Sequence, residues 1–144
     1  MPGIASAAAS KVVQLLSAAT SSAAVSAQNV SFELADRSLT MKYPAVYVYC
    51  EKIANLLREK FRSFSGKLFM VVEVRLSQDR LEELEKNLQG YVDTLTQVLD
   101  RNRGDWGQGM FYTGGYEAAF GAVKRGGKNF IQVAKITFEV QVSA

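Results

Sequence analysis

The chain has 144 residues, of which 48% are hydrophobic and 22% charged, and these proportions are typical of one globular domain with its own core. It contains no histidine, which excludes metal sites and catalytic triads built on imidazole. The single cysteine, Cys50, cannot form an internal disulfide, and its apolar surroundings predict a buried structural thiol. The net charge of +3 is too small to indicate nucleic-acid binding by itself.

Two further patterns are missing from the sequence, and both bear on where the protein works. No run of about eighteen apolar residues predicts a transmembrane helix. The N-terminus lacks the basic start and apolar block of a secretory signal. We therefore expect a protein that stays in the cytoplasm where it is made, without a membrane partner.

The first third of the chain predicts one helix and two strands. Residues 1–27 are rich in Ala and Ser and favour a helix over residues 5–19. Residues 30–34 alternate between apolar and polar side chains, which indicates a short strand. A second strand begins after Pro44, is rich in β-branched and aromatic residues, and extends to about Asn55. A loop or a helical turn is expected between Asn55 and Phe64.

The centre of the chain predicts a strand followed by a long amphipathic helix. Residues 67–76 contain a period-two alternation, and Ser77 is a favourable N-cap residue with acidic residues after it. The helix is expected over residues 78–102, with Asn102-Arg103-Gly104 as its stop signal. Its apolar residues recur at spacings of three and four, which places them on one face: Leu81, Leu84, Leu88, Tyr91, Leu95 and Val98.

The last third combines glycine-rich loops with a long strand. Residues 103–109 predict a polar loop that carries the only tryptophan, Trp106, either as a plug over the core or as a contact for a partner. Residues 110–123 predict a strand broken by a glycine bulge, or a short helical turn around residues 117–120. Residues 124–128 form a basic hairpin-like turn before a final strand over residues 130–142.

These elements predict one α+β domain over residues 1–144. We expect a mainly antiparallel sheet of four to five strands with helices packed on one face. The N-terminal helix lies within residues 1–27, and residues 30–142 supply the sheet and the long helix 78–102.

Sequence motifs for chemistry are weak. Residues 126–128 end in Gly-Gly-Lys, but the rest of a phosphate-binding loop is missing. Adjacent carboxylates such as Glu82 and Glu83 point in different directions on a helix and form no acid and base pair. We therefore predict no catalytic, cofactor-binding or metal-binding residues, and a protein that is not an enzyme. A small enzyme using Tyr112 with Lys124 is an alternative from a different class.

Short motifs between residues 41 and 142 resemble the tail-terminator and head-tail-joining proteins of tailed bacteriophages. They are Tyr43-Pro44-Ala45-Val46-Tyr47-Val48-Tyr49, Phe64-Ser65-Gly66, Ser77-Gln78-Asp79, Gly114-Gly115-Tyr116 and Gly126-Gly127-Lys128-Asn129-Phe130. The resemblance implies a structural virion protein of the tail and neck, assembled in the host cytoplasm. Its subunits would form a hexameric ring that caps the tail tube and docks it to the neck of the head.

Partners follow from the same resemblance: further copies of the chain, the major tail tube protein, a head-closure or neck protein, and genomic DNA that passes through without being read. We expect the final strand, or loops 104–115 and 124–129, to contact neighbouring subunits or the tube. The candidate contact residues are Trp106, Tyr112, Lys124, Arg125, Lys128 and Phe130. Alternatives are another neck component, such as a head-closure or adaptor protein, and a small nucleic-acid-binding module.

Overall fold

Two helices and eight strands lie within the residues that the computed structural model describes, which are 4–20, 31–34, 45–56 and 64–143. In chain order they are α1 (Ile4–Thr20), β1 (Ser31–Leu34), β2 (Ala45–Asn55), β3 (Ser65–Gln78), α2 (Leu81–Arg101), β4 (Gly104–Gly107), β5 (Met110–Tyr112), β6 (Glu117–Phe120), β7 (Lys124–Gly126) and β8 (Asn129–Ser143). The loop or turn predicted after Asn55 lies mostly outside the described residues.

The two longest strands form the centre of a single sheet. β3 and β8 pair antiparallel from Ser65 opposite Ser143 to Gln78 opposite Phe130. β2 pairs antiparallel with the other edge of β3, and β1 pairs parallel with β2. The second edge of β8 is covered in succession by β5, β6 and β7, and β4 extends the sheet beyond β5. The final strand is therefore an interior strand rather than an edge.

Both helices pack on one face of the sheet, where period-two alternation places the apolar residues of the central strands. Val72 and Ile136 lie on this face at paired positions and are fully buried. α1 contacts β2, and α2 contacts β3 and β8. The buried residues of α2 form the facing layer: Leu84, Leu88, Tyr91, Val92, Leu95, Thr96, Val98 and Leu99. The predicted α+β class with helices on one face is confirmed.

The number of strands differs from the predicted four to five for two reasons. β4 and β7 lie where the sequence indicated a loop and a turn, and the broken strand predicted over residues 110–123 forms two separate strands, β5 and β6. Residues 103–109, predicted as a polar loop, are mostly strand β4 of a β4–β5 hairpin. β6 is a strand, so the alternative of a helical turn at residues 117–120 is wrong. The glycine break is confirmed: Gly114 and Gly115 separate β5 from β6 with φ angles of 94° and 87°, which favour glycine.

The long helix begins at Leu81, so the predicted start at residue 78 and the N-cap role of Ser77 are wrong. Ser77 belongs to β3, opposite Ile131, and its hydroxyl accepts a hydrogen bond from Asn129 Nδ2 at 3.2 Å. The ladder with β8 continues to Gln78 and prevents the helix from starting earlier. Arg80 is the N-cap residue and makes no side-chain capping bond. Leu81, predicted on the buried face, is 42% exposed because it precedes the first turn that contacts the sheet.

Candidate subunit interface

Two of the candidate contact residues are buried within the subunit. Trp106 is 9% exposed and Tyr112 is 1% exposed. Their rings lie 5.4 Å apart between centroids, and both contact Phe138 on β8, edge to face. Trp106 therefore occupies the core, the first of the two positions considered for it. Only a small part of the surface of either side chain is therefore accessible to a partner.

Both buried rings also have hydrogen-bond partners inside the subunit. Trp106 Nε1 donates to the backbone oxygen of Asn102 at 2.7 Å, and the Tyr112 hydroxyl donates to the backbone oxygen of Gly115 at 3.0 Å. Burial, and after it the Asp100 carboxylate, raises the pKa of Tyr112 to about 12. These bonds fix the β4–β5 hairpin and the glycine loop against the end of α2.

The other candidate residues lie together on the β7–β8 hairpin. Lys124, Arg125 and Lys128 are exposed, and no acidic residue interrupts the segment from 124 to 130. The Arg125 guanidinium lies 5.7 Å from the centroid of the Phe130 ring, which is half-buried. Asn129 joins the hairpin to Ser77 at the end of β3. The hairpin thus presents three positive charges from a fixed base, a surface suited to an acidic partner or phosphate groups.

Exposed apolar side chains mark a second surface, which the sequence did not indicate. All four residues of β6 are exposed, and Tyr116, Phe120 and Val123 in and beside it are large exposed apolar residues. The sequence Glu-Ala-Ala-Phe has no alternation, so its position at the edge of a sheet could not be read from the pattern. At the far end of the sheet, Ile53, Leu56 and Phe111 are exposed as well.

The second face of the sheet, opposite the two helices, carries charged and aromatic residues. Glu73 lies there and is 2% exposed. Its carboxylate accepts a hydrogen bond from the Tyr49 hydroxyl at 3.1 Å and forms an ion pair with Arg75. Lys135 on β8 lies 3.9 Å from the same carboxylate. This network ties β2, β3 and β8 together on that face.

An open groove of about 510 Å³ lies beside this network. Its lining includes Glu51, Phe69, Tyr116, Glu117 and Glu139. The charged residues of this lining are all glutamates, and the carboxylate of Glu139 pairs with Lys67 at 3.3 Å. The groove is therefore a mixed polar surface rather than an enclosed substrate pocket.

Cys50, the one thiol of the chain, is half-buried and packs against the core. Burial raises its pKa, which disfavours the reactive thiolate. Within the described residues, no three His, Cys, Asp or Glu side chains lie close enough together to hold a metal ion. Of the helices described, neither is both long and apolar enough to cross a membrane.

Comparison with known proteins gives a match at the level of structure. No protein family and no curated protein matches the sequence. Among solved structures, a chain of the virion of a native gene transfer agent particle is similar, with a TM-score of 0.58 and 17% sequence identity. The match covers 96% of this chain and 97% of that one. The two chains share a fold over nearly their whole lengths.

Proposed function

We propose that this chain is a structural subunit of a phage-like virion. The observation that carries the proposal is the fold shared with a chain of a gene transfer agent virion, which leaves almost no part of either chain unmatched. A match of this extent is expected when two chains serve as the same kind of building block. A fold alone does not define a function, so the surfaces of this chain must support the assignment.

Within the virion, we propose that the chain is a tail-terminator subunit. The sequence motifs between residues 41 and 142 resemble tail-terminator and head-tail-joining proteins. Copies would close into a hexameric ring that caps the tail tube and joins it to the neck, and genomic DNA would pass through its opening. Exposed apolar residues at the sheet edge and a basic hairpin are the kinds of surface that such assembly uses.

The basic hairpin is proposed to contact a neighbouring subunit or the tail tube. Lys124, Arg125 and Lys128 project from the β7–β8 turn, and Phe130 supports the Arg125 side chain at the base of the hairpin. Exposed charges of one sign steer and orient a partner more than they stabilise the subunit itself. Replacing them should therefore leave the fold intact.

Electron microscopy and native mass spectrometry of the purified protein test this proposal. We expect a homogeneous ring of about six subunits. The triple variant Lys124→Gln, Arg125→Gln and Lys128→Gln should weaken ring formation or attachment to tail tubes. The double variant Lys86→Gln and Arg101→Gln removes positive charge from the exposed side of α2 and should change neither. Equal behaviour of the two variants would contradict a role for the hairpin.

Other neck components are alternatives to the tail terminator, because the matched chain belongs to a whole virion particle. A ring that binds a portal or head protein and does not bind tail tubes would indicate a head-closure or adaptor protein. Affinity for DNA that falls steeply with salt, without ring formation, would instead support a nucleic-acid-binding module.

A further inference from the structure

Across the middle of the described sheet, β1 is the outermost strand on one side and β6 on the other. The two strands lie level with the same residues of the central strands. The strand order across its middle is β1, β2, β3, β8 and β6. The pairing registers place one residue from each strand in a common row, and two such rows are Leu34, Val48, Val72, Ile136 and Ala118, and Phe32, Val46, Val74, Ala134 and Phe120. β1 and β6 are also equal in length, at four residues each.

The outer edge of β6 presents backbone groups that have no partner strand among the residues that the structure describes. Gly121 donates its N–H to the oxygen of Val133 at 2.8 Å, which identifies these two residues as a hydrogen-bonded antiparallel pair. Because bonded and non-bonded pairs alternate, Ala119 also bonds to β8, whereas Ala118 and Phe120 direct their N–H and C=O groups away from it. Among the strands described, β8 is the only neighbour of β6.

Apart from the shortness of β6, this edge lacks the prolines and lysines with which proteins usually block an open strand. Residues 116–123 contain one charged residue, Glu117, and neither Pro nor Lys. Phe120 is 46% exposed on the helix side of the edge, at the level of Ala134. α1 contacts β1 and β2, and α2 contacts β3 and β8 instead. Such an edge is suited to the addition of another strand.

The directions of the strands identify an occupant. β6 is antiparallel to β8, β8 to β3 and β3 to β2, whereas β1 is parallel to β2, so β6 and β1 run in opposite directions. Rotating a second copy about an axis along the strands brings its β1 against β6 of the first, at equal height and antiparallel. In this arrangement, the helices of both copies lie on the same side of the combined sheet.

We propose that β6 of one copy pairs antiparallel with β1 of the next, so that one sheet runs continuously through neighbouring subunits. The contact is heterologous, and repeating it around an axis along the strands closes a ring. This inference rests on the proposed ring-forming function and specifies how its subunits meet. It pairs both outer strands of the described sheet at once, which a contact between two copies of β6 would not do.

Disulfide trapping tests the pairing, because Cys50 is the only native cysteine and can be replaced by serine. Ala119 and Glu33 lie in one row, so Ala119→Cys combined with Glu33→Cys should place two thiols within bonding distance across the contact. Mild oxidation should yield a ladder of linked copies. Each single variant should stay unlinked, as should Glu33→Cys combined with Asp93→Cys on the exposed side of α2.

A second pair of variants tests the backbone bonds directly. Ala118→Pro removes an N–H that points away from β8, so it should preserve the subunit and weaken self-association by at least about tenfold. Ala119→Pro removes an N–H that bonds to β8 and should lower the melting temperature of the subunit itself. Sedimentation and thermal unfolding of both variants separate the two effects.

Three results would overturn the pairing: dimers formed by Ala119→Cys alone, no ladder from the double variant at millimolar concentration, or unchanged assembly of Ala118→Pro. A ring seen by electron microscopy without the ladder would reject this contact and leave the proposed function standing. Absence of the protein from virions would reject the function, whatever the crosslinks show.

Discussion

Glu73 is a buried carboxylate on the second face of the sheet, and its partners come from three strands. Tyr49 on β2 and Arg75 on β3 bond to it, and Lys135 on β8 lies within 3.9 Å. The Arg75 guanidinium also lies 5.3 Å from the centroid of the Tyr47 ring. A buried charge is tolerated when it is paired and hydrogen-bonded in this way. The network therefore fixes the register of the central strands.

Replacing Glu73 by Gln should destabilise the fold, because the neutral amide cannot form the buried ion pair with Arg75. We expect a loss of about 1–3 kcal/mol in the free energy of unfolding, measured by urea denaturation. Glu139→Gln is the matched control, since its pair with Lys67 is exposed and should cost less than about 1 kcal/mol. Equal losses for the two variants would contradict the role of burial.

The raised pKa of Tyr112, about 12, predicts a stability change in alkali. Between pH 10 and about 12 the unfolded chain releases this proton while the folded chain keeps it. The contribution of Tyr112 is therefore complete below pH 10 and is lost as the pH rises to about 12. Burial raises the pKa of Tyr91 as well, so part of the alkaline decline belongs to that residue.

Absorbance titration of tyrosinate should show a late-ionising group that disappears in Tyr112→Phe. The variant should also lose about 1 kcal/mol at neutral pH, because Gly115 loses its hydrogen bond from the hydroxyl. An unchanged titration curve in this variant would show that another tyrosine ionises late.

Packing of its buried face, rather than capping at its N-terminus, stabilises α2. Its N-cap residue, Arg80, makes no side-chain bond to the first turn. Apolar residues at spacings of three and four bury against β3 and β8 instead, and this packing supplies most of the stability of a helix in a protein.

Leu88→Ala should therefore cost about 2–5 kcal/mol of unfolding free energy, because Leu88 is fully buried and the cavity cannot collapse completely. Leu81→Ala, at the exposed start of the same helix, should cost less than about 1 kcal/mol. Chemical denaturation compares the two directly, and a similar cost at both positions would contradict the observed packing of α2.

Two glycines in regular elements should respond to alanine in opposite directions. A Cβ at Gly66 in β3 would lie 1.8 Å from the backbone oxygen of Ala54, so Gly66→Ala must displace β2. A Cβ at Gly90 in α2 meets no atom within 4 Å, and alanine there should stabilise the helix by about 0.5–1 kcal/mol. Thermal unfolding measures both changes, and a stable Gly66→Ala variant would show that β2 can move away.

Long periodic elements of this chain were predictable from the sequence, and short edge elements were not. The alternation in residues 130–142 and the spacing of Leu84, Leu88 and Leu95 correspond to β8 and α2, because burial enforces these periods. β6 has no such period, since all of its residues are exposed. The position of β6 at the edge depends on its pairing with β8, whose residues are distant in the sequence. The local sequence of β6 does not encode that pairing.

Dependence on distant residues also explains why two of the candidate contact residues, Trp106 and Tyr112, are buried. Trp106 and Tyr112 are large aromatic residues in a glycine-rich region, a description that fits both a core plug and an interface residue. Phe138 lies some thirty positions further along the chain and completes their cluster, so their burial follows from tertiary packing. The charges of the basic hairpin were correctly expected at a turn, because three cations in five residues are costly to bury.

In the part of the chain that the structure describes, one layer of helices covers one face of a broad sheet and leaves its second face charged. β3, β8 and α2 form the centre of the fold, and β1, β6 and the β7–β8 hairpin, which we propose as contacts with other subunits, lie around it. Such a division suits a protein that works by assembly. It agrees with the fold shared with a virion chain over nearly its full length.

Cryo-electron microscopy of purified phage-like particles, combined with mass spectrometry of their protein content, is the decisive test of a structural role in the virion. We expect this chain in the particle, as a ring at the junction of tail and head whose density fits the sheet with its two helices. Particles that are complete and infectious or DNA-transferring, yet contain none of this protein while the producing cells hold it in quantity, would contradict a structural role in the virion.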